Sequence, residues 1–326
     1  MDTHEPVLML SPHATFRLWP ERLVADVPRA RVVLRCKNTE QLRDALLVFA
    51  GGSTIHAAEQ VAASLKRLRP LSESLLEAGI LVDLAPLLTA SEPSQWLHHY
   101  FRLCDDWAAD IFLCKFWRSV RAGNAPLAMV RRWIVEMFHR TVGADEHNHL
   151  AEVYCGEPRM LDSLRQHNRE ERGHPLLILR GLAAAGVSEA RVRCSLPLPT
   201  TRALIEYMGG LAMTDSFAYL GCYGILHAPR YGQTRAAVIA QFDHFAALYP
   251  PLAPALAAIR DHALIDLTLG HDQVEIEKYV LQHGVPSIAQ SQRAIRGARG
   301  IASVWDRFFA GLYECSRRRR RGGNPS

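Results

Sequence analysis

Residues 168–187 read NREERGHPLLILRGLAAAGV. The stretch opens polar and closes as a leucine-rich apolar helix, with Glu171 and His174 three residues apart at the junction. Helix positions i and i+3, or i and i+4, share a face, so Glu171 (or Glu170 in its place) would present a carboxylate beside the His174 imidazole. Working outward, two more stretches repeat the theme. WIVEMFH (133–139) carries Glu136 and His139 at i, i+3, and HDQVE (271–275) carries His271 and Glu275 at i, i+4. A helical bundle can turn three such faces inward and build a carboxylate–imidazole cage in its core. Those donors suit Fe(II), Mn(II) or Zn(II). Glu146 and His149 form a further match, but in the wholly polar run DEHNH (145–149), which reads as a solvated face.

Each pair also has a plain reading. Glu136 keeps company with Trp133, Met137 and Phe138, where a lone buried carboxylate is costly, so it needs either a metal or a salt bridge with hydrogen bonds. His139 shares that choice. His174 precedes Pro175 and is either a ligand or the group that orients Glu171. His271 and Glu275 are either ligands or a surface helix pair.

From about residue 89 the apolar spacing is helical over 95–121, 126–155, 158–186, 198–226, 233–247, 252–284 and 288–315. Gly123-Asn124, Gly156-Glu157-Pro158, Pro197 with Pro199, Pro229 to Gly232 and Pro250-Pro251 separate these segments. Residues 1–88 differ. ARVVLR (30–35) reads as a strand. Asn38-Thr39 opens a helix, Gly51-Gly52 breaks it, Ser53-Thr54 opens a second helix through Ala63, and a third runs from Pro70 to Ala78 before the short strand 80–83. The expected class is therefore mainly α: a helical bundle at 89–316, preceded by a small winged-helix-like α+β domain at 1–88 and followed by a disordered Arg-rich tail at 317–326.

The bulk numbers fit two domains, with 326 residues, 48% hydrophobic and 22% charged. Net charge is +5, and Arg317 to Arg321 supply five positive charges in one run, so the folded part carries no strong bias toward nucleic acid. No secretion signal opens the chain, and no apolar run reaches the ~18 residues of a membrane helix. The seven cysteines are scattered without a CxxC pair, which reads as reduced thiols in a cytoplasmic protein.

Taken together, WIVEMFH, NREERGHPLLILRGLAAAGV and LGHDQVEIEK resemble the three signatures of haem-oxygenase-like diiron oxidases and oxygenases, over about residues 95–285. The resemblance implies a haem-oxygenase-like bundle that binds one or two Fe(II) ions, with O2 as co-substrate. It implies Glu136, His139, Glu171, His174, His271 and Glu275 as metal ligands, with Glu136 and Glu171 in the reacting centre. Lys278 stands where that family usually has its last histidine. A lysine ammonium is a poor ligand, so a second iron is in question. Lys278 is then assigned to a substrate carboxylate or to a metal-bound one. GGSTIHAAEQVAASL and LSESLLEAGILVD are similar to the peptide-binding winged helices of peptide-modifying enzymes, which implies a leader peptide as partner of residues 1–88.

The function so implied is O2-dependent oxidation of a small-molecule, amino-acid-like or peptide precursor of a natural product. No membrane partner is expected, and a homodimer is left open. Rival readings are a metal-free oxidase or hydrolase on the same fold, a ferritin-like diiron protein, and a winged-helix ligand sensor without catalysis.

Overall fold

The computed structural model describes residues 6–61, 68–226, 234–268 and 275–322, with side chains described through 265 and 316 in the last two segments. Near the N-terminus come four strands, β1 (Val7–Leu10), β2 (Thr15–Trp19), β3 (Arg22–Val27) and β4 (Ala30–Arg35). Strands β2, β3 and β4 form an antiparallel meander whose turns are Pro20-Glu21 and Pro28-Arg29. Asn38 then caps α1 (Thr39–Val48), its side-chain oxygen accepting from Gln41 N–H at 3.0 Å. Strand β5 (Ser53–Thr54), α2 (Ile55–Val61), α3 (Leu68–Glu77) and β6 (Leu81–Asp83) follow, and β5 and β6 flank β1 antiparallel. Gly79, at φ +69°, reverses the chain between α3 and β6, a conformation that suits a residue without Cβ.

The strand at 30–35 and the helix, helix, helix, strand order match the sequence pattern. Strands β1, β2 and β3 are additional to that pattern, and Ser53-Thr54, read as the opening of the second helix, forms the short strand β5. This N-terminal unit has its own core, including Leu10, Leu23, Leu46 and Leu75. Side chains alternate along a strand, so Leu8 and Leu10 face that core while Met9 between them joins the core of the helices. Polar clamps reinforce the junction. Arg299 Nε donates to Leu10 O at 2.6 Å, and Arg29 pairs with Asp110 at 2.6 Å. His13 pairs with the Asp306 carboxylate through Nδ1, and its Nε2 meets Trp107 O at 2.9 Å.

The remainder is helical. After α4 (Ala85–Leu88) come α5 (Pro93–Ile111), α6 (Lys115–Arg121), α7 (Leu127–Val153), α8 (Leu161–Glu171), α9 (His174–Ala184) and α10 (Glu189–Arg193). Then follow α11 (Pro199–Thr214), α12 (Ser216–Leu226), α13 (Arg235–Leu248), α14 (Ala253–Thr268), α15 (Glu275–His283) and α16 (Ile288–Gly322). Several segments read as single helices are broken. Gly173, at φ +94°, separates α8 from α9, so the junction between Glu171 and His174 is a kink rather than one continuous helix. Pro175 falls in the first turn of α9, where its missing N–H costs nothing. Asp215 separates α11 from α12 and caps the latter, accepting from Ala218 N–H at 3.1 Å. Helix α16 runs on through residues 317–322, into the segment expected to be disordered.

Helix α16 crosses α12 at the heart of the bundle, with Gly221 and Gly297 lying against Ala294 and Ala218. Among the described residues no helix is long and apolar enough to cross a membrane. All seven cysteines are free thiols.

Candidate metal centre

Three side chains converge at the kink between α8 and α9. Glu171, at the last position of α8, and His174, at the first of α9, lie 3.0 Å apart, His174 Nδ1 donating to Glu171 Oε2. His262 arrives from α14, its ring centroid 4.6 Å from that of His174. One donor atom from each residue lies within 4.8 Å of the others, and all three residues are buried. An ion bonded at about 2.1 Å to each donor holds them about 3–4 Å apart, so the spacing is close to what a first-row divalent ion requires. Two imidazoles and a carboxylate are the donor set of non-haem Fe(II) sites with open positions. The residues present therefore fit a metal.

Helix packing explains the convergence. Helices α9 and α14 approach so closely at Gly181 that a Cβ there would lie 2.4 Å from Ala258 Cβ. His174 lies two turns before Gly181, and His262 one turn after Ala258. The close approach thus sets the two imidazoles face to edge.

Around this group the interior is polar over several helices. His167, one turn before Glu171 on α8, has Nδ1 3.4 Å from Glu275 Oε1 at the start of α15. Lys278 Nζ donates to the same oxygen at 3.3 Å. The Tyr223 ring stands edge-on to His167, centroids 4.9 Å apart. Tyr219 and Tyr223, a turn apart on α12, both donate to Asn148 Oδ1 at 2.7 Å, and His147 Nδ1 lies 2.9 Å from Tyr219 OH.

Burial, with positive charge at His167 and Arg140, pushes His147 down to about 3, so its imidazole is neutral near pH 7. Burial likewise drives the Tyr219 and Tyr223 hydroxyls well above the usual tyrosine range, keeping them proton donors. Asp145 lies near enough to feel Glu171. Its carboxyl is raised by burial and then by that neighbouring negative charge.

No family model matches the chain, and no curated protein does. Solved structures do. A domain from Shewanella denitrificans with a heme oxygenase-like fold aligns at TM-score 0.57 and 18% identity, covering 70% of this chain and 96% of that one. A TenA homologue from Pseudomonas syringae pv. tomato aligns at TM-score 0.51 and 14% identity, covering 71% and 97%. The chain has a haem-oxygenase-like fold.

Within this haem-oxygenase-like bundle the expected ligands separate into groups. Glu171 and His174 stand together. Glu275 is buried beside His167, and Lys278, assigned above to a substrate or metal-bound carboxylate, pairs with the Glu275 carboxylate. His271 lies outside the described residues. Glu136 and His139 do not join the group of three. The Glu136 carboxylate is fully buried but spoken for: it pairs with Arg132 one turn earlier and accepts from Thr201 Oγ and, at 3.0 Å, from Leu198 N–H at the start of α11. This is the salt-bridged reading of Glu136, and its work is to cap α11. His139 Nε2 meets Ser195 Oγ at 2.9 Å. Burial lowers its affinity for a proton despite the charge of Glu136.

Replacing Glu136 by alanine strands the Leu198 N–H, the Thr201 hydroxyl and Arg132 at once, an expected loss of about 3 kcal/mol or more. Thermal or denaturant unfolding measures it. Iron uptake by the folded variant stays at the wild-type level; its loss would return Glu136 to the ligand set.

His262, His167, His147 and Asn148 escaped the sequence reading. His262, His147 and Asn148 have no acidic partner at helical spacing among the acids singled out above, whereas His167 stands one turn before Glu171 and was passed over. The available signal was position: His262 falls on the same stripe of α14 as the buried Ala255, Ala258 and Ile259. A histidine inside an apolar stripe is a buried polar group that requires partners. In the run 145–149, read as solvated, Glu146 and His149 are indeed exposed, but His147 and Asn148 point inward.

Proposed function

We propose that this protein is a non-haem iron, O2-dependent oxidase or oxygenase whose metal is held by Glu171, His174 and His262. The observation that carries the reading is the buried two-histidine, one-carboxylate group at the α8–α9 kink. Iron(II) bound there would supply O2 activation at its open positions, and hence oxidation of a nearby C–H or N–H bond.

The chain's own residues would do the rest. The Glu171–His174 hydrogen bond orients the donor pair. Buried apolar packing around α9 and α14 excludes bulk water, which strengthens every electrostatic contact inside. Lys278 neutralises Glu275 beside His167, so this second carboxylate is carried in the interior by a protein cation. That pairing favours one tightly held ion over two equal ones. The substrate class is a small molecule or a peptide. In the peptide case residues 1–88 are the natural docking unit, with a leader segment adding to a strand edge.

A metal-free enzyme is the competing reading, and the same Glu171–His174 pair favours it, because a hydrogen-bonded acid and imidazole can move protons unaided. Anaerobic Fe(II) titration of the full chain, followed by metal analysis after gel filtration and by O2-consumption measurements, separates the two. The expected result is about one tightly bound ion per chain and O2 uptake that depends on it. A folded protein that retains no Fe(II) under these conditions overturns the iron reading.

A further inference from the structure

The outer face of the β2–β3–β4 meander carries an arrangement that the metal centre does not use. Register sets nine side chains on it in three rows across the strands: Thr15, Asp26 and Arg31, then Arg17, Val24 and Val33, then Trp19, Arg22 and Arg35. Helix α1 packs against β2 and β3 of this meander. Leu23, Ala25 and Leu34, which alternate with the nine, are buried in the N-terminal core on the opposite face. Of the nine, only Val24 is buried. Arg17, Trp19, Arg22, Arg31, Val33 and Arg35 are exposed. Four guanidiniums therefore share one face with a single carboxylate.

That carboxylate is already used, since Asp26 pairs with both Arg17 and Arg31. Arg22 and Arg35 are direct cross-strand partners and face each other with like charge. Such a pair destabilises a sheet by itself and is relieved by an anion lying between the strands. The Trp19 ring does not offer a stacking platform. Arg22 lies over it, 4.6 Å from the centroid, with Arg17 at 5.8 Å. A ring so covered holds guanidiniums in place for planar, two-pronged contacts with carboxylates, rather than receiving nucleobases.

From this charge complementarity we infer that the outer face of β2–β3–β4 is a docking surface for a glutamate- or aspartate-rich polypeptide segment, with Arg22 and Arg35 as its anchors. The surface is independent of the metal centre, and its test uses no catalytic readout.

Full-length protein, prepared without added iron, is titrated at low ionic strength with a short labelled peptide of alternating glutamate and glycine. The glutamine version of that peptide and a single-stranded oligodeoxynucleotide serve as the other probes. Expected are binding of the glutamate peptide, weakening with added salt, and no binding of the glutamine peptide. Arg22→Gln with Arg35→Gln is expected to weaken the glutamate peptide by about tenfold, as loss of two charge-assisted contacts would. Both positions are exposed and the change removes their mutual repulsion, so the unfolding temperature should not fall. Replacing Arg317 to Arg321 by glutamine should leave the affinity unchanged. The inference is overturned if wild type does not bind the glutamate peptide, if only the change at 317–321 weakens it, or if the oligonucleotide binds more tightly and loses its affinity in the Arg22/Arg35 variant.

Discussion

His262→Ala is expected to bind Fe(II) more than about a hundredfold more weakly than the wild-type chain. Three donors hold the ion in the proposed site, and two of them, Glu171 and His174, sit on adjoining helix ends. Among the described residues, removing the third leaves two donors, Glu171 and His174, to hold the ion. The change should be readable in two independent ways. Metal analysis after anaerobic loading and gel filtration should fall from about one ion per chain to near none. Fe(II) should raise the wild-type unfolding temperature, because a ligand that binds only the folded state stabilises it by mass action, and should not raise that of the variant.

Unfolding of the metal-free variant checks that the fold survives the small cavity. Glu171→Ala and His174→Ala should behave alike, and His139→Ala should not. If His262→Ala keeps wild-type stoichiometry and affinity, the three-residue site is wrong.

Nothing in the local sequence around His262 marks it as a ligand. Glu171 and His174 were legible because they are neighbours in the chain. Even so, the face they were assigned to does not exist, since Gly173 turns the backbone between them. His262 reaches them through the packing of α9 on α14, a tertiary fact set by Gly181 against Ala258. No local spacing announces it. Glu136 shows the opposite case. A carboxylate and histidine at the expected spacing, in apolar surroundings, are required to find partners, but hydrogen bonds and Arg132 meet that requirement as well as a metal would.

The helices were easier to read because an apolar stripe repeats over many turns, as along α7 and α16. Their interruptions were harder, since Phe112 to Cys114 and Asp215 break helices without the usual Gly-Pro punctuation. Strand β2 escaped because it is exposed at almost every position, so no alternation marks it. Strand β1 escaped for another reason. It is buried on both faces, Leu8 and Leu10 in one core and Met9 in the other, and four apolar residues in a row have no period.

Gly297→Ala is expected to cost several times what a glycine-to-alanine change in an exposed helix gains. On an exposed helix interior, alanine is favoured by about 1 kcal/mol. At residue 297 the new Cβ would lie 1.9 Å from Ala218 O and 2.6 Å from Ala218 C, both backbone atoms of α12. Gly221 makes the reciprocal contact, its Cβ position 2.0 Å from Ala294 O on α16.

No rotamer change relieves either clash, because the obstacle in each case is the main chain of a buried helix. The two helices must separate, and α12 is also held at this crossing by the Tyr100 hydroxyl, which donates to Gly221 O at 2.6 Å. Separation would also shift Tyr219 and Tyr223, which α12 carries into the polar interior beside His167. The expected loss is about 3 kcal/mol or more, the upper range of overpacking in a close-packed interior. It should appear as a lowered midpoint in urea or as failure to accumulate as folded protein. Gly51→Ala, where an added Cβ meets nothing within 4 Å, should be nearly neutral in the same assay. Wild-type stability in Gly297→Ala would mean that α12 and α16 are further apart than the contact requires, and that these two glycines do not set the crossing.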